Sequence, residues 1–325
     1  MAYRKSNGKL RNRKRTPAVL TLSFVAPQGD SYVDLALAMS IANRRGYKQQ
    51  FAPVVSGMTL YTNNAGVFST FVLPETWVMS NAYDKTRALW KEMNDQVLDN
   101  EESIQGSYHD FKIGMDSEHL LQSIQCDANP GGTILTPVDE LGNLTVGNFL
   151  GAGVAPLADW NYSQVTIPND PASGTTTSYF LHAVGADTAA SKGIIQGYAQ
   201  SRSRPTSPDP NVPTVAGWMT ELFDDGEQLE ELREIIQDDN DRTPYANAGL
   251  ASSGNFYPGG ANDFPSLQVH DSAIVSATTV GGKTRIPGLV PQCGLIKFSN
   301  NTGGTATVQI HLMPGSHRGY MCEEM

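Results

Sequence analysis

The chain has 325 residues, of which 17% are charged, with 31 Gly, 19 Pro and a formal net charge of −10. No run approaches the eighteen or so apolar residues of a membrane-spanning helix. Three widely spaced cysteines, Cys126, Cys293 and Cys322, suggest neither a disulfide framework nor a Cys-x-x-Cys metal site, so a reducing compartment is the simpler assumption.

The first element in chain order is a charged one. Arg4, Lys5, Lys9, Arg11, Arg13, Lys14 and Arg15 are seven of the 23 Lys and Arg, and all 33 Asp and Glu follow them, beginning at Asp30. Beyond this stretch 16 positive charges face 33 negative ones, a net of −17. A basic, Gly- and Asn-containing segment with so few apolar residues cannot bury enough surface to order itself. Residues 1–17 are therefore expected to form a flexible arm that binds a polyanion, and 18–325 a single folded body. A mitochondrial presequence would need an apolar helical face, for which only Ala2, Tyr3 and Leu10 are available. A secretory signal would need an unbroken apolar block, whereas Val19, Thr21, Ser23 and Val25 alternate with Leu20, Leu22, Phe24 and Ala26. The run "RNRKR" also has the composition of a nuclear localisation signal, a role compatible with the first.

In the body most of the periodicity is of the strand kind. Strands are expected over 18–26, 50–60, 67–73, 108–113, 164–167, 178–184, 193–199, 267–278, 294–298 and 305–313. The last is the clearest, with Ala306, Val308, Ile310 and Leu312 alternating with Thr305, Thr307, Gln309 and His311. Turn signals such as "YTNNAG", "DANPGG", "TVGGKT" and "SNNTGG" separate the runs. An all-β fold follows, a two-sheet sandwich of single jelly-roll type with short helical insertions.

Two helical regions interrupt the strands. One is expected from Asn81, where Leu89, Met93 and Val97 recur at helical spacing. The other covers about 214–241, breaks at Asp224, Asp225 and Gly226, and buries Leu229, Leu232, Ile235 and Ile236 behind an acidic outer face. Prolines at 205, 208, 210 and 213 precede it, in a linker or a projecting loop, so about 200–242 reads as one Pro-rich and acidic insertion. Asp238, Asp239 and Asp241 close it. Clustered carboxylates of this kind can bind calcium between subunits, but they lack the DxDxDG loop, and a solvated acidic turn is the plainer reading.

The catalytic inventory is thin. His270, Asp271 and Ser272 are triad residue types, yet neighbours in a strand point to opposite faces and form no relay. "GAGVAP" lacks the third glycine of a dinucleotide loop, and the six histidines show no HxxxH or HExxH spacing. No cofactor, resident metal or enzymatic activity is expected. A strand-rich acidic body with a basic arm suits a protein that coats nucleic acid, since phosphate neutralisation is independent of sequence.

Several segments, "MAYRKSNGKLRNRKR", "YVDLALAMSIANRRGYKQ", "LPETWVMSNAYDKTRALWKEM", "YHDFKI", "SQVTIPND", "YFLHAVGAD", "KGIIQGYAQSRSRPTSPDPNVP", "LQVHD", "CGLIKF" and "MPGSHRGYM", together resemble the capsid proteins of small circular Rep-encoding single-stranded DNA viruses. The likeness runs over nearly the whole chain, although the family's arm is denser in arginine. The resemblance implies a single jelly roll, self-assembly into an icosahedral shell, location in the virion and in the host nucleus during assembly, and an arm whose seven basic residues contact the genome. Other readings of the same residues are the coat of a single-stranded RNA virus and a non-viral jelly-roll carbohydrate-binding domain, which would line a groove with aromatic residues. Trp77, Trp90, Trp160 and Trp218 are scattered.

Overall fold

The computed structural model describes residues 16–98, 110–125, 134–138, 160–168, 170, 172, 174–201, 266–276, 278 and 282–325. Their elements are β1 (Thr21–Ala26), β2 (Gly29–Asp34), α1 (Leu35–Asn43), β3 (Phe51–Pro53), β4 (Val55–Thr62), β5 (Gly66–Val72), α2 (Trp77–Leu98) and α3 (Ser117–Gln125). After these come β6 (Gln164–Pro168), β7 (Thr176–His182), β8 (Ser191–Gly193), α4 (Ile194–Ser201), β9 (Gln268–Val275) and β10 (Lys283–Ile286). Strands β11 (Leu295–Asn301), β12 (Ala306–Leu312), β13 (Pro314–His317) and β14 (Cys322–Glu324) complete them.

The described residues are mostly β, and their two principal sheets are antiparallel, ordered β1-β12-β4-β10 and β2-β11-β5-β9. The pairing is nested. Among these eight strands the first pairs with the last, the second with the seventh (β2 with β11), the third with the sixth (β4 with β10) and the fourth with the fifth (β5 with β9). Two further ladders, β12 with β4 and β11 with β5, join these pairs into the four-stranded sheets.

Between the sheets lies one apolar cluster. Leu22, Phe24, Met58, Leu60, Val308 and Ile310 come from the first sheet, and Val33, Phe68, Ile296 and Phe298 from the second. The Phe68 and Phe298 rings sit 5.3 Å apart in a tilted arrangement favoured by the aromatic quadrupole. A second cluster covers the other face of the second sheet, where Tyr32 and Leu295 meet α2, α4 and the small sheet β6-β7-β8. Residues of β2 and β11 therefore point into two cores, Val33 and Ile296 into one, Tyr32 and Leu295 into the other.

This double burial explains why β2 and α1 carry no readable periodicity. In β2 the last four residues are all buried, polar Ser31 and Asp34 among them. In α1 five consecutive residues, Leu35 to Met39, are buried, so no amphipathic stripe forms. What fixes the junction is Asp34. Its Oδ1 accepts the N–H groups of Ala36 (2.9 Å) and Leu37 (3.2 Å) as an N-cap, and its Oδ2 accepts from Gln49 Nε2 (2.8 Å) and Trp160 Nε1 (3.1 Å).

Other expectations are adjusted by local hydrogen bonding. The helix expected from Asn81 starts at Trp77, because the Thr76 hydroxyl already accepts the Met79 N–H and Val78, Met79, Ala82 and Tyr83 extend its buried face. The strand expected over 193–199 is helix α4, in which Ile194, Ile195 and Tyr198 share a buried side. Residues 110–113 form no strand. There the Ile113 backbone is satisfied by the Gln49 side chain, which accepts its N–H at 2.8 Å and donates to its carbonyl at 3.2 Å. The expected strand over 50–60 divides into β3 and β4, with Val54 between them paired to the Met321 and Met313 backbones.

Replacing Asp34 with Ala removes a cap, takes the acceptor from the Trp160 indole N–H and leaves Gln49 Nε2 with only its bond to the Ile113 carbonyl. Asp34→Ala is expected to lower the free energy of unfolding by roughly 3 kcal/mol, read from denaturant midpoints. Thr166→Ala, which breaks an exposed hydroxyl pair with Ser178, should change it by less than about 0.5 kcal/mol.

Candidate nucleic-acid interface

Arg4, Lys5, Lys9, Arg11, Arg13, Lys14 and Arg15 lie outside the described residues, as do Asp238, Asp239, Asp241 and the prolines of 205–213. What the structure places is the segment that follows the basic stretch, from Thr16 onward. Val19 donates its N–H to Asn43 Oδ1 at 2.9 Å, and its carbonyl accepts from the Tyr320 hydroxyl at 2.5 Å. Asn43 Nδ2 closes the triangle by donating to the Tyr320 oxygen (2.7 Å) and to the Met39 carbonyl (2.8 Å). One residue later the Leu312 N–H bonds the Leu20 carbonyl at 2.7 Å, and the β1–β12 ladder begins.

Both members of this clamp are fixed by their elements. Asn43 is the last residue of α1, and Tyr320 lies in the turn between β13 and β14 with its side chain buried. Burial pushes the Tyr320 hydroxyl up to about 12, so it remains a donor through the physiological range. Neither residue stood out as a site in the sequence, because their partnership spans 277 positions.

His270 and Ser272, the triad residue types noted on β9, engage different partners. On β9 the Ser272 hydroxyl meets that of Ser69 at 2.9 Å while His270 Nε2 faces the Pro287 carbonyl at 3.3 Å. Cys293 is buried and Cys322 half-buried, both as free thiols, and Cys126 lies outside the described residues. Among the described residues no three His, Cys, Asp or Glu side chains gather as a metal site requires.

An open cleft of about 410 Å³ lies against the second sheet, lined by Asp30, Phe71, Asp116, Val184, Leu267 and Lys297 among others. Its charges are mutually engaged. Lys297 Nζ sits 3.0 Å from Asp30, 3.5 Å from Asp116 and 5.0 Å from the centre of the Tyr32 ring. The Tyr32 hydroxyl donates to Asp116 at 2.9 Å, and its ring stacks on His119 at 4.8 Å. His119 is fully buried. Its Nδ1 accepts the Met115 N–H at 3.0 Å, which leaves Nε2 to carry the proton towards Tyr162 Oη at 3.2 Å.

Burial holds His119 down at about 4, and burial also lowers His182. Asp34 is shifted the other way, pushed up to about 6 by burial against the pull of its four hydrogen bonds. The two shifts oppose each other in acid. From pH 6.5 down to 4 the unfolded chain takes up a proton that folded His119 refuses, so stability falls. Between pH 4 and 6 folded Asp34 holds a proton that the unfolded carboxyl has released, so its contribution declines as pH rises.

No known protein-family model, curated protein or solved structure matches the chain. Among the described residues no helix is long and apolar enough to cross a membrane.

Two outcomes follow from these contacts. Asn43→Ala and Tyr320→Phe should each speed amide exchange at Val19 by at least about tenfold while lowering global stability by only about 1 kcal/mol, as read by hydrogen exchange and denaturation. His119→Gln should remove a contribution of about 3 kcal/mol that favours unfolding as pH falls from 6.5 to 4, so that the opposing Asp34 shift is unmasked and stability rises on acidification relative to the parent, measured by denaturant titration across that range.

Proposed function

We propose that the chain is a viral coat subunit, a single jelly roll that assembles into a closed icosahedral shell and tethers single-stranded nucleic acid through its basic arm. The observation that carries this reading is the nested pairing of eight antiparallel strands, with the first strand led by the arm. A jelly roll is a long antiparallel hairpin rolled over itself, and the order β1-β12-β4-β10 facing β2-β11-β5-β9 is what such rolling generates. Capsid jelly rolls use this architecture to present rigid edges to neighbours, while an arm at the leading strand remains free to follow cargo.

The charge distribution supports the same division of labour. Seven cations precede a body of net charge −17, so the bodies repel one another until cargo screens them. The role is structural rather than catalytic. Sequence resemblance favours circular single-stranded DNA as the cargo, the virion as the destination, and the nucleus as the place of assembly.

Purified protein is expected to form closed shells by electron microscopy, with single-stranded DNA recovered after nuclease treatment. The arm's seven contacts should contribute a slope of about −5 to log K against log[salt] for single strands, at about −0.7 per phosphate. Removing residues 1–15 should leave a folded body and particles holding little nucleic acid. A discrete monomer or dimer at high concentration would overturn the coat reading, and protected RNA in the particles would replace the DNA cargo by the RNA one.

A further inference from the structure

The triplet Arg-Gly-Tyr occurs twice, at Arg45-Gly46-Tyr47 and Arg318-Gly319-Tyr320, and the fold brings the two copies together. Tyr47 and Tyr320 are both buried, with ring centres 5.4 Å apart and planes 66° apart. The Tyr47 hydroxyl donates to the Arg318 carbonyl at 3.1 Å, and the Arg318 guanidinium donates to the Gly46 carbonyl. Each turn thus uses its tyrosine as a root and holds the other turn's backbone. The first is tied to α1 as well, through the Tyr47 N–H on Ser40 Oγ and the Arg44 N–H on the Ser40 carbonyl.

The arginines of these turns, together with Arg44, are exposed. Arg44 and Arg318 both have φ of 49°, in the left-handed region where an L-residue costs about 1 kcal/mol relative to glycine. Glycine or asparagine would relieve that conformation, yet both positions carry a guanidinium. The turns also adjoin the root of the arm. Arg44 follows Asn43, which holds Val19, and a Cβ on Gly319 would lie 2.6 Å from Ala18 Cβ and 3.2 Å from the Thr16 carbonyl.

The sequence on both sides of the turns is free of carboxylates, and the Arg45 side chain hydrogen-bonds that of Tyr47 within its own turn. No Asp or Glu occurs from 35 to 74 or from 272 to 322, although the chain as a whole is acidic. Of the carboxylates borne on adjoining segments, Asp110 is held by Lys48 at 2.6 Å and Glu324 by Gln50 at 2.7 Å, while Glu323 on β14 is exposed.

We propose that Arg44, Arg45 and Arg318 form a fixed phosphate-binding platform for the sugar-phosphate backbone of single-stranded nucleic acid, placed where the arm leaves the body. The proposal rests on the coat reading and gives its cargo a second, ordered point of contact. Planar guanidinium forks match phosphate oxygens bidentately. Because buried tyrosines hold the turns, little backbone entropy remains to be lost on binding.

The test uses the full-length chain and a fluorescent thymidine 20-mer, with affinity measured by anisotropy over a salt series. The intact chain should give a slope of about −7, the arm's share plus about −2 from three further phosphates. Arg44→Gln/Arg45→Gln/Arg318→Gln should reduce the slope by about 2, and Arg44→Gln/Arg45→Gln, which leaves the Arg318 bond to Gly46 intact, by about 1.4. Lys91→Gln/Lys283→Gln removes two exposed charges elsewhere and should leave the slope unchanged. An intact chain with a slope near −5, unaltered in the double arginine variant at equal thermal midpoint, would overturn the platform while leaving the arm as tether. Loss of slope in the lysine control equal to that in the arginine pair would reduce the effect to net charge and overturn it likewise. An intact chain with no salt-dependent binding would overturn both the platform and the coat reading.

Discussion

The ladder between β1 and β12 is the constraint on which the other pairings depend, for it joins residues as much as 290 positions apart. Once it closes, each inner pair is a shorter loop within it, down to β5 against β9. That innermost hairpin encloses roughly 195 residues between Val72 and Gln268, a closure worth about 5 kcal/mol of chain entropy, rising by only about 0.6 kcal/mol per doubling. Logarithmic growth explains how a sandwich accommodates so long an excursion. Helices α2 and α4 and the sheet β6-β7-β8 all belong to it, and they pack back on the outer face of the sheet that launched them. Such non-local pairing also predicts slow folding relative to helical chains of equal size.

The two sheets differ in charge as well as in neighbours. The strands β1, β12, β4 and β10 contain no acidic residue, whereas the other sheet carries Asp30, Asp34 and Asp271. On the acidic side, Lys297 offsets Asp30 and Asp116, and Asp34 is enclosed by four donors. The acid-free sheet is the one whose first strand, β1, follows the basic stretch in the sequence. Under the proposed function this arrangement leaves the exit of a polycation free of competing carboxylates from the strands beside it.

Legibility in the sequence followed burial. Strand β12 was visible because one face is buried and the other is not, so period-two alternation survives. Strand β2 and helix α1 were invisible because residues on opposite sides are buried alike, which erases both periods. The error at 193–199 came from adjacent isoleucines, whose β-branched character favours strands until packing against α2 decides otherwise. The Asp34 cap did have a local signature, an Asp directly before Leu-Ala-Leu-Ala, but without a readable helix it marked nothing. The arm's charge was legible from composition alone. The clamp on Val19 was not, since its amide and hydroxyl come from residues 24 positions ahead and 301 positions ahead.

That clamp has a mechanical side. Strand β1 lies at the edge of its sheet, bonded along its length to β12 and on its other side only by the Val138 N–H to the Ser23 carbonyl among the described residues. Under the proposed function, tension on the segment before Thr16 would otherwise fall on the last ladder bond and open the strand one bond at a time, as a zipper opens. With Asn43 and Tyr320 gripping both the amide and the carbonyl of Val19, the load enters instead through the end of α1 and the turn between β13 and β14. Under the proposed function, the pull of a cargo is thereby shared between two separate elements before the sheet itself bears any of it.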